Sequence, residues 1–279
     1  RCNREPSLEN DNLFTHSADT TSTSRSHVAL RATPHERSEA LPQERCFKIR
    51  AAESLREQTS AHLLVERMYA TRGYQTSAPA ENESFLKKTF IASDHNSAVG
   101  TLTIGLDSDE GLVVDQLFPF EVEKLRRTAG PLCEFTRLAM DRRVSSVRVL
   151  AALFHVAHIY SHRIKALGTL LIEVNPRHVK YYETMLGFKV IGSETHNPRV
   201  NAPAVLLALD LAQAQDQIER FGGQPELVTT ERSAYPHFFS SSDEVGIVGR
   251  LRREDVDIAD ISETQRVRKC PGRPTVPLH

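Results

Sequence analysis

Read from its N-terminus, the chain shows no regular spacing of apolar positions before residue 45. Residues 1–44 are rich in Ser, Thr, Asn, Glu and Arg, as in SADTTSTSRS, and are predicted to form a disordered polar tail. So little apolar surface does not offset the entropy lost on ordering. The pattern changes at CFKIRAA (46–52), a short strand. A helix is predicted over 54–72, with Leu55, His62, Leu63, Val65, Met68 and Tyr69 available to one face and Gly73 at its end. Two alternating runs then flank Asp94-His95-Asn96-Ser97, the signature of a hairpin. DQLFPFEVEKLRRTAG reads as a helical segment closed by Gly130, and CEFTRLAMD (133–141) as the next strand.

The clearest helix spans 146–166, where Val149, Leu150, Leu153, Val156, Ala157, Tyr160 and Ile164 form one stripe. GTLLIEV (168–174) is a buried strand, apolar except for Glu173. It runs into a helix that Asn175 caps, Pro176 starts and Gly187 closes. FKVIG and APAVLLALD are two more strands. Residues 212–279 hold one helix, a second after the Ser-Ser-Ser-Asp-Glu capping signal at 240–244, and a polar tail. The expected architecture is α/β: a single mixed sheet at 45–211 with flanking helices, followed by a C-terminal helical extension at 212–279.

CEFTRLAMD carries a puzzle. Successive strand side chains point to opposite faces, so Glu134 and Arg137 belong on opposite sides of a regular strand. Either one charge is structural, or a β-bulge re-aims one of them, a feature common beside active sites.

Composition narrows the function. Lys plus Arg number 35 against 36 for Asp plus Glu, which argues against a nucleic-acid binder. No run approaches the length of a membrane span, and no apolar signal region stands at the start. The chain opens on Arg rather than Met, so export stays open. Cys2, Cys46, Cys133 and Cys270 lie far apart, which suits free thiols in a reducing cytoplasm.

The run IEVNPRHVKYYETMLGF resembles the last strand–helix unit of GNAT acyltransferases through Asn175, Tyr182, Gly187 and Phe188. Ordinary members carry a Gly-rich loop after the strand that here is CEFTRLAMD, and its backbone N–H groups cradle the pyrophosphate of coenzyme A. This chain has DRRVSSVRV at that point, with no glycine. The stretch from about 48 to 210 is more similar to long-chain N-acyl amino acid synthases, and Glu134-x-x-Arg137 resembles a pair that acyl-homoserine-lactone synthases carry on the same strand. Paired Asp residues before the hairpin and a Trp near the end of the first helix are missing, and Arg67 and Arg72 do not match the register of the early-helix Arg. These departures favour an amino acid acceptor over S-adenosylmethionine.

The resemblance implies an acyltransferase that moves a long-chain fatty acyl group from acyl carrier protein to the α-amine of an amino acid, in lipid biosynthesis. The donor is an acyl-phosphopantetheine thioester, on acyl carrier protein in preference to acyl-CoA. An amine acceptor must lose a proton, so a carboxylate desolvated in a cleft is a suitable base, and Glu134 is the candidate. Its alternative is a salt bridge with Arg137 that braces the strand. Arg137 either orients Glu134 or holds the acceptor's carboxylate. Tyr182 stands where many relatives keep a general acid for the thiolate, and is otherwise core. Arg142, Arg143 and Arg148, with Ser145 and Ser146, lie where the Gly-rich loop is missing and suit an acidic, phosphate-bearing carrier protein, or form an ordinary solvated face. His155, His158 and His162 share one helical face opposite the apolar stripe. They are expected to face solvent or a neighbouring segment, without a metal, because no acidic ligand accompanies them. A homoserine-lactone-type synthase and a non-catalytic acyl- or carrier-binding module are the alternatives. An apolar cleft holding Glu134 distinguishes an enzyme from the module.

Overall fold

The alternating runs all enter one sheet. The computed structural model describes residues 47–74, 86–95, 97–141, 143 and 147–268, with the side chains of the last helix described as far as Asp255. The expected tail at 1–44 lies outside the described residues, as does Asn96 of the hairpin turn. The strands are β1 (Phe47–Ala51), β2 (Lys87–Asp94), β3 (Ser97–Leu106), β4 (Leu132–Met140), β5 (Thr169–Val174), β6 (Lys189–Val190), β7 (Thr195–Asn197) and β8 (Ala202–Asp210). They lie in the order β1-β2-β3-β4-β5-β8-β6, with β7 paired to β8. Every pairing is antiparallel except β4 with β5.

Helices α1 (Leu55–Ala70), α2 (Pro119–Thr128), α3 (Val147–His158) and α4 (Val179–Leu186) cover the sheet. Ser54 starts α1 with a capping box: its Oγ accepts from the Glu57 N–H, and the Glu57 carboxylate accepts from the Ser54 N–H. The Asn175 side chain accepts from the Arg177 N–H and opens a 3₁₀ turn into α4, which ends at Gly187 with φ 79°. Cys133 and Phe135 of β4 and Leu170 and Ile172 of β5 pack with α3 on one face. Leu132 and Leu171 pack with Val114 and Val122 on the other, where Ala139 also meets Leu64, Val65 and Met68 of α1.

Two expectations need correction. Leu55 and Leu63 do not join the buried face of α1; they are exposed, and Ala61 and Leu64 take their place. The spacing of apolar residues leaves the stripe's rotation loosely defined, and contact with β4 decides it. The helix expected over 146–166 changes pitch: α3 stops at His158 and a π-helical segment, Ile159–Ile164, follows.

The C-terminal extension is built into the core. Helices α5 (Leu211–Phe221) and α6 (Ser241–Arg268) and the turn Tyr235–His237 contribute Leu211, Ala214, Ile218, Tyr235, Phe238 and Leu251 to the same apolar cluster as α3. That segment is the neighbour that His155 and His158 face. His155 is fully buried, stacks with Phe238 and Phe239, and accepts at Nδ1 from the Phe239 N–H (3.0 Å). His158 Nε2 meets Gln215 Oε1 at 2.9 Å. Among the described residues, no group of three or more His, Cys, Asp or Glu stands where it could hold a metal ion, and no helix is long and apolar enough to cross a membrane.

Candidate active site

Parallel β4 and β5 pair for only three residues, Leu132–Glu134 against Thr169–Leu171. Beyond that point they diverge, and a cavity of about 360 Å³ opens between Phe135–Met140 of β4 and Ile172–Asn175 of β5. The puzzle of CEFTRLAMD resolves here. Thr103 pairs with Thr136 but Thr101 with Ala139, so Arg137 and Leu138 together oppose Leu102. This is a β-bulge, and Arg137 takes the left-handed backbone with φ 50°. Before the bulge, Glu134 lies on the Leu132 face; after it, Ala139 lies on that same face against α1, while Met140 turns to α3. Arg137 therefore shares the face of Glu134, and it bears on the Tyr69 hydroxyl of α1.

Glu134 is 1% exposed. Its carboxylate is gripped by backbone rather than by a cation: the Val113 N–H donates to Oε1 (2.9 Å) and the Val114 N–H to Oε2 (3.0 Å). Burial pushes the carboxyl above the ordinary carboxylate range, against the pull of those two N–H groups; nearby Glu173 adds to the rise and Lys87 opposes it. The donors belong to a 3₁₀ turn, Val113–Gln116. Within that turn Asp115 accepts from the Leu112 N–H (2.7 Å) and from Arg126 of α2, which also forks onto Asp107.

Glu173 and Arg199 complete the arrangement and carry no local motif. Glu173 lies two residues beyond Leu171, the partner of Glu134, and so shares its face. Its Oε2 accepts from Asn197 Nδ2 (2.8 Å) and from the Arg199 guanidinium. Arg199 Nη1 also donates to the Val113 carbonyl (2.8 Å) and to Gln116 Oε1 (3.0 Å). The signal for Glu173 was available as the lone charge in GTLLIEV. Arg199 and the backbone donors at 113–114 had none.

The cavity has two characters. Leu102, Phe135, Met140, Phe154, Ile172 and Val174 line its α3 side. Its other side carries Lys87, Glu134, Arg137, Glu173 and Arg199, with Arg72 of the chain just past α1. An apolar cleft holding Glu134 is the arrangement expected of an enzyme.

The comparisons with known proteins decide the family. The family model described as N-acyl amino acid synthase FeeM matches residues 60–210, more than half of the chain. The chain belongs to this family. Its members' fold extends to solved structures: FeeM, an N-acyl amino acid synthase from uncultured soil microbes, aligns with a TM-score of 0.57 and 27% identity over 61% of this chain and 94% of that one. A putative N-acetyltransferase from Lactobacillus plantarum aligns with a TM-score of 0.45 and 12% identity over 59% and 98%. The acyl-homoserine-lactone synthase LasI aligns with a TM-score of 0.42 and 16% identity over 60% and 89%. No curated protein matches. The chain is thus an acyltransferase with the GNAT-like mixed sheet that its sequence resembles. The family match ends at Asp210, so α5 and α6 lie beyond it.

The other candidate residues fall around this site. Tyr182 of α4 lines the cavity among Phe154, Tyr181 and Phe188, and burial raises its hydroxyl well above the ordinary tyrosine range. Arg143 stands outside the cavity lining and pairs with Asp141 (3.2 Å), which also takes Arg67 (2.8 Å). Arg142, Ser145 and Ser146 lie outside the described residues.

Proposed function

We propose that this enzyme transfers a long-chain fatty acyl group from acyl carrier protein to the α-amine of an amino acid. The observation that carries the reading is the two-sided cavity at the β4–β5 splay. One side offers apolar surface to a fatty chain, and the other presents carboxylates and cations to a zwitterion.

In this reading the thioester enters between the diverged strands, where β4 beyond Glu134 has no ladder partner in β5. The acceptor's ammonium gives one proton to Glu134, whose raised ionisation range brings it nearer to working pH. The nitrogen lone pair then attacks the thioester carbon, forming the C–N bond. Backbone N–H groups on the splayed edge of β4 stabilise the oxyanion. Collapse breaks the C–S bond, the nitrogen loses its second proton, and the thiolate takes one up. Arg137, turned into the cavity by the bulge, suits the acceptor's carboxylate through its planar fork. Tyr182 holds its proton more tightly than an ordinary phenol, so it serves as a hydrogen-bond donor to the departing thiolate rather than as a full acid. Carrier protein is favoured as donor because DRRVSSVRV has no glycine with which to cradle a pyrophosphate and offers arginines, Arg143 among them, to an acidic surface.

Mass spectrometry of lipid extracts from bacteria expressing the parent and Glu134→Gln tests this directly. New N-acyl amino acids with the parent, reduced about 10²–10⁴-fold in a folded variant, are expected. Absence of any acyl amide from folded parent refutes the reading, and undiminished product in the variant removes Glu134 as base. Purified parent supplied with hexadecanoyl-carrier protein or hexadecanoyl-CoA distinguishes the donors, with the carrier-protein thioester expected to turn over faster.

A further inference from the structure

We propose that Arg199 is a positioning residue for Glu134: through the Val113 carbonyl it holds the turn that grips the carboxylate, and through Glu173 it balances the charge beside it. Its part in turnover rests on the acyl-transfer reading; the clamp itself rests on distances. Arg199 Nη1 donates to the Val113 carbonyl at 2.8 Å, and the N–H of the same residue donates to Glu134 Oε1 at 2.9 Å. A single residue thus links the guanidinium to the carboxylate. Gln116, at the far end of the turn, meets the same Nη1 at 3.0 Å, so the turn is held at both ends. The loop carrying Arg199 is fixed in turn, because its N–H donates to Asn197 Oδ1 (2.9 Å) while Asn197 Nδ2 donates to Glu173 (2.8 Å).

The second arm concerns charge. Glu173 is held through Oε2 alone, by Asn197 and Arg199, while its Oε1 is buried with no hydrogen-bond partner. A buried carboxylate held on one oxygen depends heavily on its counter-ion. Without Arg199 the negative charge of Glu173 acts on Glu134 uncompensated, and like charge favours the protonated form. The charged groups lining the cavity with Glu134 are Lys87 from β2, Arg137 from β4, Glu173 from β5, Arg199 from the β7–β8 connection and Arg72 from the exit of α1; the other titratable groups there are His62, Tyr69 and Tyr74 from α1 and its exit, His178 from the turn before α4, and Tyr182 from α4. Arg199 is hydrogen-bonded both to Glu173 and to the turn.

The test reads Glu134 itself and needs no turnover. Full-length chain labelled with ¹³C at glutamate side-chain carboxyls is titrated by NMR, and the Glu134 signal is identified by its loss in Glu134→Gln. Relative to the parent, Arg199→Gln is expected to move the Glu134 midpoint up by about one pH unit, a roughly tenfold change in its ionisation constant. Glu173→Gln moves it down, and the double variant returns it towards the parent value. Arg199→Lys keeps the charge, so its midpoint stays near the parent's, while the lost fork lowers kcat with little change in the donor's KM. A Glu134 midpoint unmoved in folded Arg199→Gln overturns the proposal. So does a double variant shifted as far as Arg199→Gln alone. Failure of the parent to make an acyl amide speaks against the acyl-transfer reading and leaves the titration to judge the clamp.

Discussion

Replacing Gly105 by alanine tests whether the position of Glu134 matters as finely as its chemistry. Gly105 is the β3 partner of Glu134, and a Cβ built there lies 2.9 Å from both Cγ and Oε1 of Glu134 and 3.3 Å from Cδ. Ordinary carbon contacts begin near ~3.5–4.0 Å, so the carboxylate must retreat by roughly 0.6–1.1 Å. It has no slack, since both oxygens already sit at 2.9 and 3.0 Å from their backbone donors. A shift of that size takes one or both beyond hydrogen-bonding distance. The expected loss is about 1–3 kcal/mol of stability, within the usual range for overpacking or for a weakened bond to a charged group. Acyl transfer should fall by about 10²-fold, the scale set by ~1 Å misplacement of a reacting group. The assay is initial rate of acyl amide formation by mass spectrometry, with thermal unfolding on the same preparation. Gly100→Ala is the matched control. Its added Cβ meets Leu153 Cδ1 (2.8 Å) and Met140 Sδ (2.9 Å), the ends of flexible side chains, so it should cost stability while sparing most of the rate. Gly105→Ala with the parent's rate, in folded protein, would refute the geometric argument.

Further outcomes follow from the same structure. Tyr182→Phe keeps the ring packing against Phe154 and Phe188 and removes only the hydroxyl, so the rate should fall less than tenfold, and a larger fall would make the phenol a true acid. His158 is pushed down to about 3, first by burial, so between ~6.5 and that value the unfolded chain binds a proton that the folded chain refuses. Stability is therefore present above the ordinary histidine range and is lost as pH falls, at up to about 1.4 kcal/mol per pH unit. Urea unfolding at pH 7 and 5 should show a smaller acid loss in His158→Gln than in the parent, and equal losses would remove His158 as the cause.

The sheet and the bulge were legible because both depend on local alternation. Glu134 and Arg137 at a spacing of three on one strand posed a choice between a structural charge and an irregularity, and the register shift between Thr101 and Thr103 supplies the irregularity. Asn175, Pro176 and Gly187 bounded the 3₁₀ turn and α4 for the same reason: caps and turns are written within a few residues. The clamp was not legible. Arg199 meets Val113 across 86 positions, and the Glu134 donors are main-chain N–H groups that any residue possesses. On α1, Val65 and Met68 were read onto the buried face and Leu55 and Leu63 wrongly with them, because its small, mixed residues leave neighbouring rotations nearly equal until β4 selects one. His155 and His158 read as an outer face because the strip that covers them lies some 57–84 residues further on.

That covering strip sets an order of events at the ribosome. Strands β1 to β8 can pair into their sheet as they emerge, but the far side of α3 keeps His155 and His158 uncovered until Gln215, Phe238 and Phe239 arrive, and the Tyr160 hydroxyl just beyond it waits for Asp255. Arg163 and Lys165 likewise wait for Glu244 and Asp255. The nascent chain thus carries an open flank until this strip has been synthesised, the kind of surface on which chaperones act. Translational pausing between Phe221 and Ala234 is therefore expected to prolong that exposure and to lower the yield of folded enzyme.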